Sequence, residues 1–275
     1  MKIKYLGTAA AEGWTGIFCN CEACLRAQKE GGKNLRTRSQ TIIDDTLLVD
    51  FPPDSYFHML HGGLHLPEIR DILITHTHQD HFYPDDLAFR CGGFASGVEG
   101  VLTLYGNDAL KGKFDDYVTK SGWAESLLER LHCRELKEFE AAAVGGFLVT
   151  PLLARHDRRE KCFLYLVEKE GKSLFYGNDT GDFPETTWSF LKDRKLDLVS
   201  LDCTMGKYAE GSNHMGIPDV IRTREKMLAM GCVRKNTVFV ATHFSHNGNL
   251  LHNELENALQ PCGFLVAYDS MEICF

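Results

Sequence analysis

Apolar residues fall along the chain in short runs bounded by Gly, Asp, Asn and Lys. "KIKYLG" (2–7), "TIIDDTLLVD" (41–50), "DILIT" (71–75), "GFLVTPLL" (146–153), "CFLYLVE" (162–168), "SLFYG" (173–177), "LDLVSLD" (196–202), "TVFVAT" (237–242) and "FLVAYD" (264–269) are too short for helices and read as strands. Asp44-Asp45 and "KEGK" (169–172) sit between paired runs, where hairpins turn. Helical spacing occupies 22–30, 84–90, 108–131 in two pieces split near Gly122, 186–194, 218–230 and 249–259. The helix at 218–230 carries a start signal in Pro218 and Asp219 and a stop signal in Gly231. Strands and helices interleave, with hairpins mixed in, which predicts an α/β protein of mixed strand direction. No Ser/Gly/Pro linker, low-complexity tract or internal repeat interrupts the pattern, so residues 1–275 are expected to form a single domain.

Chemistry gathers where the strands end. "DILIT" runs into His76, "GFLVTPLL" ends near His156, "SLFYG" near Asp179, "LDLVSL" at Asp202 and "TVFVAT" at His243. Loops that follow converging strand ends are where α/β sheets place functional side chains. The densest stretch, "THTHQDH" (75–81), holds His76, His78, Asp80 and His81. Imidazole and carboxylate together suit zinc, manganese or iron. Two ions ~3.5–4 Å apart, sharing a water and a carboxylate, need roughly six or seven ligands. His76, His78, Asp80, His81, His156, Asp179 and His243 supply that number.

The pattern resembles the metallo-β-lactamase superfamily, whose signature is His-x-His-x-Asp-His after a strand. "THTHQDH" carries the signature, "ARHD" (154–157) the next His motif, "YGNDTG" (176–181) the bridging Asp and "ATHFSHN" (241–247) the last His. The opening "KIKYLGTAAAEG" and the closing "AYDSMEI" are also similar to the family's ends, so the resemblance covers nearly the whole chain. It implies an αββα sandwich of two mixed sheets flanked by helices, with the site at one edge. It further implies one ion on His76, His78 and His156, a second on Asp80, His81 and His243, and Asp179 bridging them with a hydroxide.

Three of the ten cysteines cluster. Cys19, Cys21 and Cys24 in "FCNCEACLRA" (18–27) form a C-x-C-x-x-C, which in a reducing compartment suggests a structural zinc short of one ligand. His246, three residues after His243, is the natural fourth, and the site would pin a loop at about 13–30 beside the catalytic edge. Free thiols are the alternative. This loop resembles the phosphodiesterase of the carbon–phosphorus lyase pathway, as do "LRTRSQTIIDDTLLVDFPPD" (35–54) and "GSNHMGIPDVI" (211–221). The same stretches resemble the related tRNA 3′-processing endonuclease. The resemblance implies hydrolysis of a small, cyclic ribosyl or nucleotide phosphodiester, with His214 and Asp80 as catalytic side chains and His214 assisting the leaving group. Gln79 stands where the endonuclease has Gly, and no long Gly- and basic-rich arm for tRNA is present. Hydrolysis of a carboxylic ester, thioester or lactam at the same metals remains the competing reading.

Asp202 is expected to orient a ligand His, or else to serve as a turn residue. Arg155, Arg158 and Arg159 flank His156, and Arg36 and Arg38 follow the Cys loop. Any one of them is suited to a phosphate, and a solvated surface cluster is the alternative. The 275 residues, 44% hydrophobic and 25% charged, have an ordinary globular composition. A net charge of −8 offers no general attraction for nucleic acid or anionic membrane. No run approaches the ~20 apolar residues of a membrane span, and the opening stretch is too short in apolar residues for a secretory signal. A cytoplasmic enzyme with two divalent ions, one structural zinc and a small phosphodiester substrate is therefore expected, as a homodimer if it follows the commonest assembly.

Overall fold

The computed structural model describes residues 1–209 and 211–275. Strands β1 (Lys2–Gly7), β2 (Gln40–Ile43), β3 (Leu47–Val49), β4 (Asp71–Leu73), β5 (Leu102–Gly106) and β6 (Leu131–Glu135) build the first sheet. The second takes β7 (Ala142–Val144), β8 (Phe147–Leu153), β9 (Phe163–Lys169), β10 (Lys172–Gly177), β11 (Leu196–Asp202), β12 (Val233–Thr242) and β13 (Phe264–Val266). Strand β14 (Met271–Cys274) then returns to the first sheet beside β1. Each sheet has seven strands and is mixed: β3 to β6 and β10 to β13 are parallel, and β7 to β10 are antiparallel. The helices are α1 (Glu22–Glu30), α2 (Ser55–His61), α3 (Asp108–Lys120), α4 (Ala124–Arg130), α5 (Glu185–Leu191), α6 (Ile217–Ala229) and α7 (His252–Leu259).

Strand alternation explains the layers. Leu47 and Val49 of β3 join Leu174, Tyr176, Leu198 and Val240 in a core between the sheets. Leu48, between them, faces the other way and packs with Leu110, Phe114 and Leu127 of α3 and α4. On the second sheet Phe175, Val199, Leu201 and Phe239 point outward onto Ala27, Trp188, Val220, Met227 and Leu255 of α1, α5, α6 and α7. Because both faces of these strands are covered, they read as continuous apolar runs. The order helix, sheet, sheet, helix is the sandwich expected.

The two expected hairpins form, β2–β3 around Asp44-Asp45 and β9–β10 around Glu170-Gly171. Other expectations are corrected. Residues 84–90 form a 3-10 helix, not an α-helix, with the Cys91 N–H bonded to the Ala88 carbonyl. The helical stretch 108–131 ends at Arg130, because Leu131–Glu135 pairs with β5. The last helix starts at His252 instead of 249: Asn249 is left-handed, and the Glu254 carboxylate accepts from Leu251 N–H at 2.7 Å. The run 264–269 is a strand only to Val266. Helix α2 and strands β5, β7 and β14 were not foreseen. Helix α6 begins as expected, the Asp219 carboxylate accepting from Gly216 N–H at 3.0 Å. Strands β8, β10, β11 and β12 run the same way, and their carboxyl ends bring His156, Asp179, Asp202 and His243 to one edge, opposite the end of β4.

Candidate metal centre

Three residues of that edge hold left-handed backbones that only glycine adopts easily: Asp50 (φ 66), Asp179 (φ 50) and His243 (φ 61). Each follows a strand, and the turn swings its side chain into the space between the sheets. There the ligand atoms gather in two groups, His76 with His78 and His156, and Asp80 with His81, Asp179 and His243, each group within 4.8 Å of one another. Asp179 Oδ2 lies 2.5 Å from His81 Nε2, 3.2 Å from His243 Nε2 and 3.9 Å from His76 Nε2, between the two groups. Asp80 Oδ2 is 3.1 Å from His81 Nε2.

Hydrogen bonds at the far side of each ring fix which nitrogen faces inward. His81 Nδ1 donates to Asp50 Oδ2 at 2.7 Å. His76 Nδ1 faces the Thr75 hydroxyl at 3.0 Å, whose own proton goes to Asp50 Oδ1 at 2.9 Å. His243 Nδ1 meets Thr204 Oγ1 at 2.8 Å, which donates to Asp202 Oδ2 at 3.0 Å. His156 Nδ1 donates to the Asn213 carbonyl at 3.2 Å. His78 is reversed: its Nε2 donates to Asp157 Oδ2 at 2.8 Å, which leaves Nδ1 facing His156 Nε2 at 3.3 Å. Second partners of this kind are how proteins set the tautomer of a metal-binding histidine.

The inward atoms pass a test for metal. His76 Nε2, His81 Nε2, His243 Nε2 and Asp179 Oδ2 are buried and, among the described residues, make no hydrogen bond. Buried polar atoms are seldom left so, and four that converge fit divalent cations. Electrostatics agree. Burial disfavours charge on His81, yet Asp80, Asp179 and Asp50 lift its pKa well above the usual value. Burial would raise Asp179, but His243, His81 and His156 pull it well below. His76 is driven well below its usual value by burial and by His81, which favours a neutral imidazole. A set this unbalanced is what a bound cation relieves.

His214 sits at the same edge, its Nδ1 3.0 Å from Asp202 Oδ2 and 3.5 Å from Asp179 Oδ1, its ring 4.9 Å from that of His156. Asp202 therefore reaches His214 directly and His243 through Thr204, while it also accepts from Met215 N–H at 2.9 Å. The arginines contribute less. Arg38 is tied to Asp54 at 3.0 Å and to the Ala11 carbonyl at 2.9 Å. Arg36 is buried on Thr8, Ala267 and His252. Arg159 pairs with Asp157. Arg155 has its backbone on Thr180 and Gly181 and its side chain exposed, and Arg158 is exposed.

Cys19, Cys21, Cys24 and His246 also come together, their ligand atoms within 4.8 Å of one another. His246 Nδ1 is 3.6 Å from Cys19 Sγ and 3.4 Å from Cys21 Sγ. Burial pushes the Cys24 thiol up to about 12. Cys21 is less buried, and hydrogen bonds from Cys24, Cys19 and His246 bring it down to about 6, toward a thiolate. A Cβ on Gly16 would sit 3.0 Å from Cys19 Cβ and 3.1 Å from His246 Nε2, so a side chain there would press on the cluster. Sequence reasoning missed Asp50, Thr75, Thr204, Asp157 and Glu12, the last 3.4 Å from His246 Nε2. Of these only Asp50 carried a signal, as another Asp closing an apolar run.

Among the described residues, no helix is long and apolar enough to cross a membrane. Residues 47–244 match the Beta-lactamase superfamily domain, a span that holds all seven candidate ligands of the main centre. No curated protein matches the chain. Among solved structures it is similar to a diphosphatase from the PhnP family, at 22% identity and a TM-score of 0.76, over 100% of this chain and 97% of that one. It is also similar to Zn(2+)-bound PqqB from Methylobacterium extorquens, at 18% identity and a TM-score of 0.77, over 100% of both chains. The short form of human tRNase Z (ELAC1) matches at 18% identity and a TM-score of 0.66, over 100% of this chain and 99% of that one. At these identities the likeness is one of fold.

Proposed function

The chain belongs to the β-lactamase superfamily and is a metal-dependent hydrolase, and from that premise we propose that it hydrolyses a small phosphodiester at a two-ion centre. His76, His78 and His156 would hold one ion, Asp80, His81 and His243 the other, and Asp179 both. Zinc, manganese and iron all suit this donor set. When bound, such a pair supplies Lewis acidity that acidifies water and neutralises the oxygens of an in-line displacement. Cys19, Cys21, Cys24 and His246 would hold a separate structural zinc.

The observation that carries the substrate reading is His214. Asp202 accepts from its Nδ1, which fixes the ring beside the ligand cluster without making it one of the seven ligands. A carboxylate behind the ring stabilises its protonated form, and that form can give a proton to an alkoxide leaving group. Phosphodiester cleavage releases such an alkoxide, as a carboxylic ester does, whereas a thioester releases a thiolate that needs little protonation; the parallel assay below separates the ester classes. The net charge of −8 and the absence of a basic arm in the sequence favour a small ester over tRNA.

The test is a parallel assay of the zinc- and manganese-loaded enzyme on a chromogenic phosphodiester, a cyclic nucleotide phosphodiester, a carboxylic ester, a thioester and a lactam. Turnover of the phosphodiesters is expected to dominate. Carboxylic ester, thioester or lactam turnover without phosphodiester turnover would overturn the reading, and trimming of a tRNA 3′ trailer would move it to the endonuclease class.

A further inference from the structure

Thr77 stands between His76 and His78 and supplies no ligand atom, yet all its polar groups are gripped by charged side chains from distant parts of the fold. Both Glu160 oxygens accept from Thr77 N–H at 3.1 Å, and Glu160 Oε1 accepts from the Thr77 hydroxyl at 2.9 Å. The Thr77 carbonyl accepts from the ammonium of Lys113, on α3. Asn107 ties the two elements together. Its Nδ2 donates to Glu160 Oε2 at 2.9 Å and to the Lys161 carbonyl at 2.7 Å, while its Oδ1 caps α3 at Leu110 N–H, 2.8 Å away. The segment joining His76 to His78 is thus anchored at its N–H and at its C=O, which fixes the direction of one ligand relative to the other.

The grip comes from the turn that carries the third ligand of the same ion. Residues 156–160 present His156, then Asp157, which accepts from His78 Nε2 at 2.8 Å, then Glu160. Glu160 also lies within reach of a cation held by His78 and Asp157. Its oxygens are already taken by Thr77 and Asn107, which marks it as a tether and not a ligand. The other half of the signature is held otherwise: His81 N–H and Phe82 N–H bond to the nearby His78 carbonyl, and Asp50 takes the His81 ring.

We propose that Glu160, with Lys113 as its counterpart, is a positioning residue that sets the affinity of the His76–His78–His156 site selectively. The proposal rests on the two-ion reading above. Zinc-loaded wild-type, Glu160→Ala and Glu160→Gln enzymes are dialysed against graded chelator, and the ions retained per chain are counted. Anomalous scattering from crystals at intermediate chelator shows which site empties first. The His76–His78–His156 ion is expected to leave Glu160→Ala at ~10–100-fold lower chelator than wild type, the range for losing a partner behind a ligand. The ion on Asp80, His81 and His243 should shift little. Glu160→Gln keeps an acceptor for Thr77 and should fall between, so it serves even where the alanine variant folds poorly. Equal weakening of both ions, or no shift in either variant, overturns the proposal while the two-ion reading stands. A wild-type chain that holds no ion on His76, His78 and His156 overturns both together.

Discussion

Asp50→Asn is nearly isosteric and changes one proton. Asp50 is fully buried; Oδ1 accepts from Thr75 N–H at 2.8 Å and Oδ2 from His81 Nδ1 at 2.7 Å. An asparagine has one acceptor and one donor group for these two donors and the Thr75 hydroxyl, which also donates to Asp50 Oδ1 at 2.9 Å but can rotate. If its oxygen stays on Thr75, its NH2 faces His81 Nδ1, and the ring must move its proton to Nε2, the atom an ion needs as a lone pair. If its oxygen turns to His81, the NH2 meets Thr75 N–H, two buried donors face to face at a cost of about 1–3 kcal/mol. A ~10–100-fold loss of affinity, the range for a lost partner behind a metal ligand, is about 1.4–2.8 kcal/mol at 1.4 kcal/mol per tenfold. The metal-free variant settles into the first route at little cost, and metal binding then forces it into the second, so that cost falls on the binding equilibrium and the variant is expected to bind its Asp80–His81–His243 ion ~10–100-fold more weakly. Chelator competition followed by metal counting measures this, with circular dichroism of the metal-free chain as the check on folding. A folded Asp50→Asn enzyme with wild-type affinity for both ions would refute the tautomer reasoning.

Further perturbations separate the parts of the account. His214→Ala should keep both catalytic ions while turnover of a cyclic nucleotide phosphodiester, whose leaving group is an alkoxide, falls by roughly 10²-fold or more; unchanged turnover of that substrate would remove His214 from the chemistry. Cys24→Ser should cost one zinc per chain, the one that resists chelation, while leaving the other two measurable by elemental analysis; three ions retained by the variant would remove Cys24 from the site, and only two in the wild type would mean the thiols are free. His58 is buried, with its ring nitrogens 2.6 Å from Thr37 Oγ1 and from Gln40 Oε1, and burial lowers its pKa from 6.5 to about 4. Between those values the unfolded chain takes up a proton that the fold refuses. Stability present above pH 6.5 should thus fall, by at most about 3 kcal/mol, as pH drops to 4. Urea unfolding of metal-free wild type and His58→Gln should show the difference shrinking over that window; a constant difference would contradict it.

The sequence showed best those elements whose side chains alone decide their state. Strands β8 to β12, buried on both faces, announce themselves as apolar runs. Strand β6, "LHCRE", is half exposed at the sheet's edge; its first residue, Leu131, reads as the end of a helix and the rest carries no strand pattern, because its pairing with β5 is a tertiary fact. Strands β7 and β14 are edges too, short or half exposed. Helix α2 puts Tyr56, Phe57 and Leu60 on its exposed face, which erases the polar side that marks a surface helix. The candidate ligands were legible as a pattern, because His and Asp close several apolar runs in order along the chain. Their supports were not: Glu160 reaches Thr77 across 83 positions and Asp157 reaches His78 across 79, and neither residue type is unusual in a loop.

The central claim is that two ions, held by seven residues and shared through Asp179, hydrolyse a phosphodiester. The most direct measurement is turnover of a chromogenic phosphodiester as metal is returned to the metal-free main centre, with the Cys19–Cys21–Cys24–His246 site already filled. Activity is expected to appear with the second equivalent, and Asp179→Ala to show none at any equivalent. Full activity at one equivalent, or an active Asp179→Ala enzyme, would contradict the account.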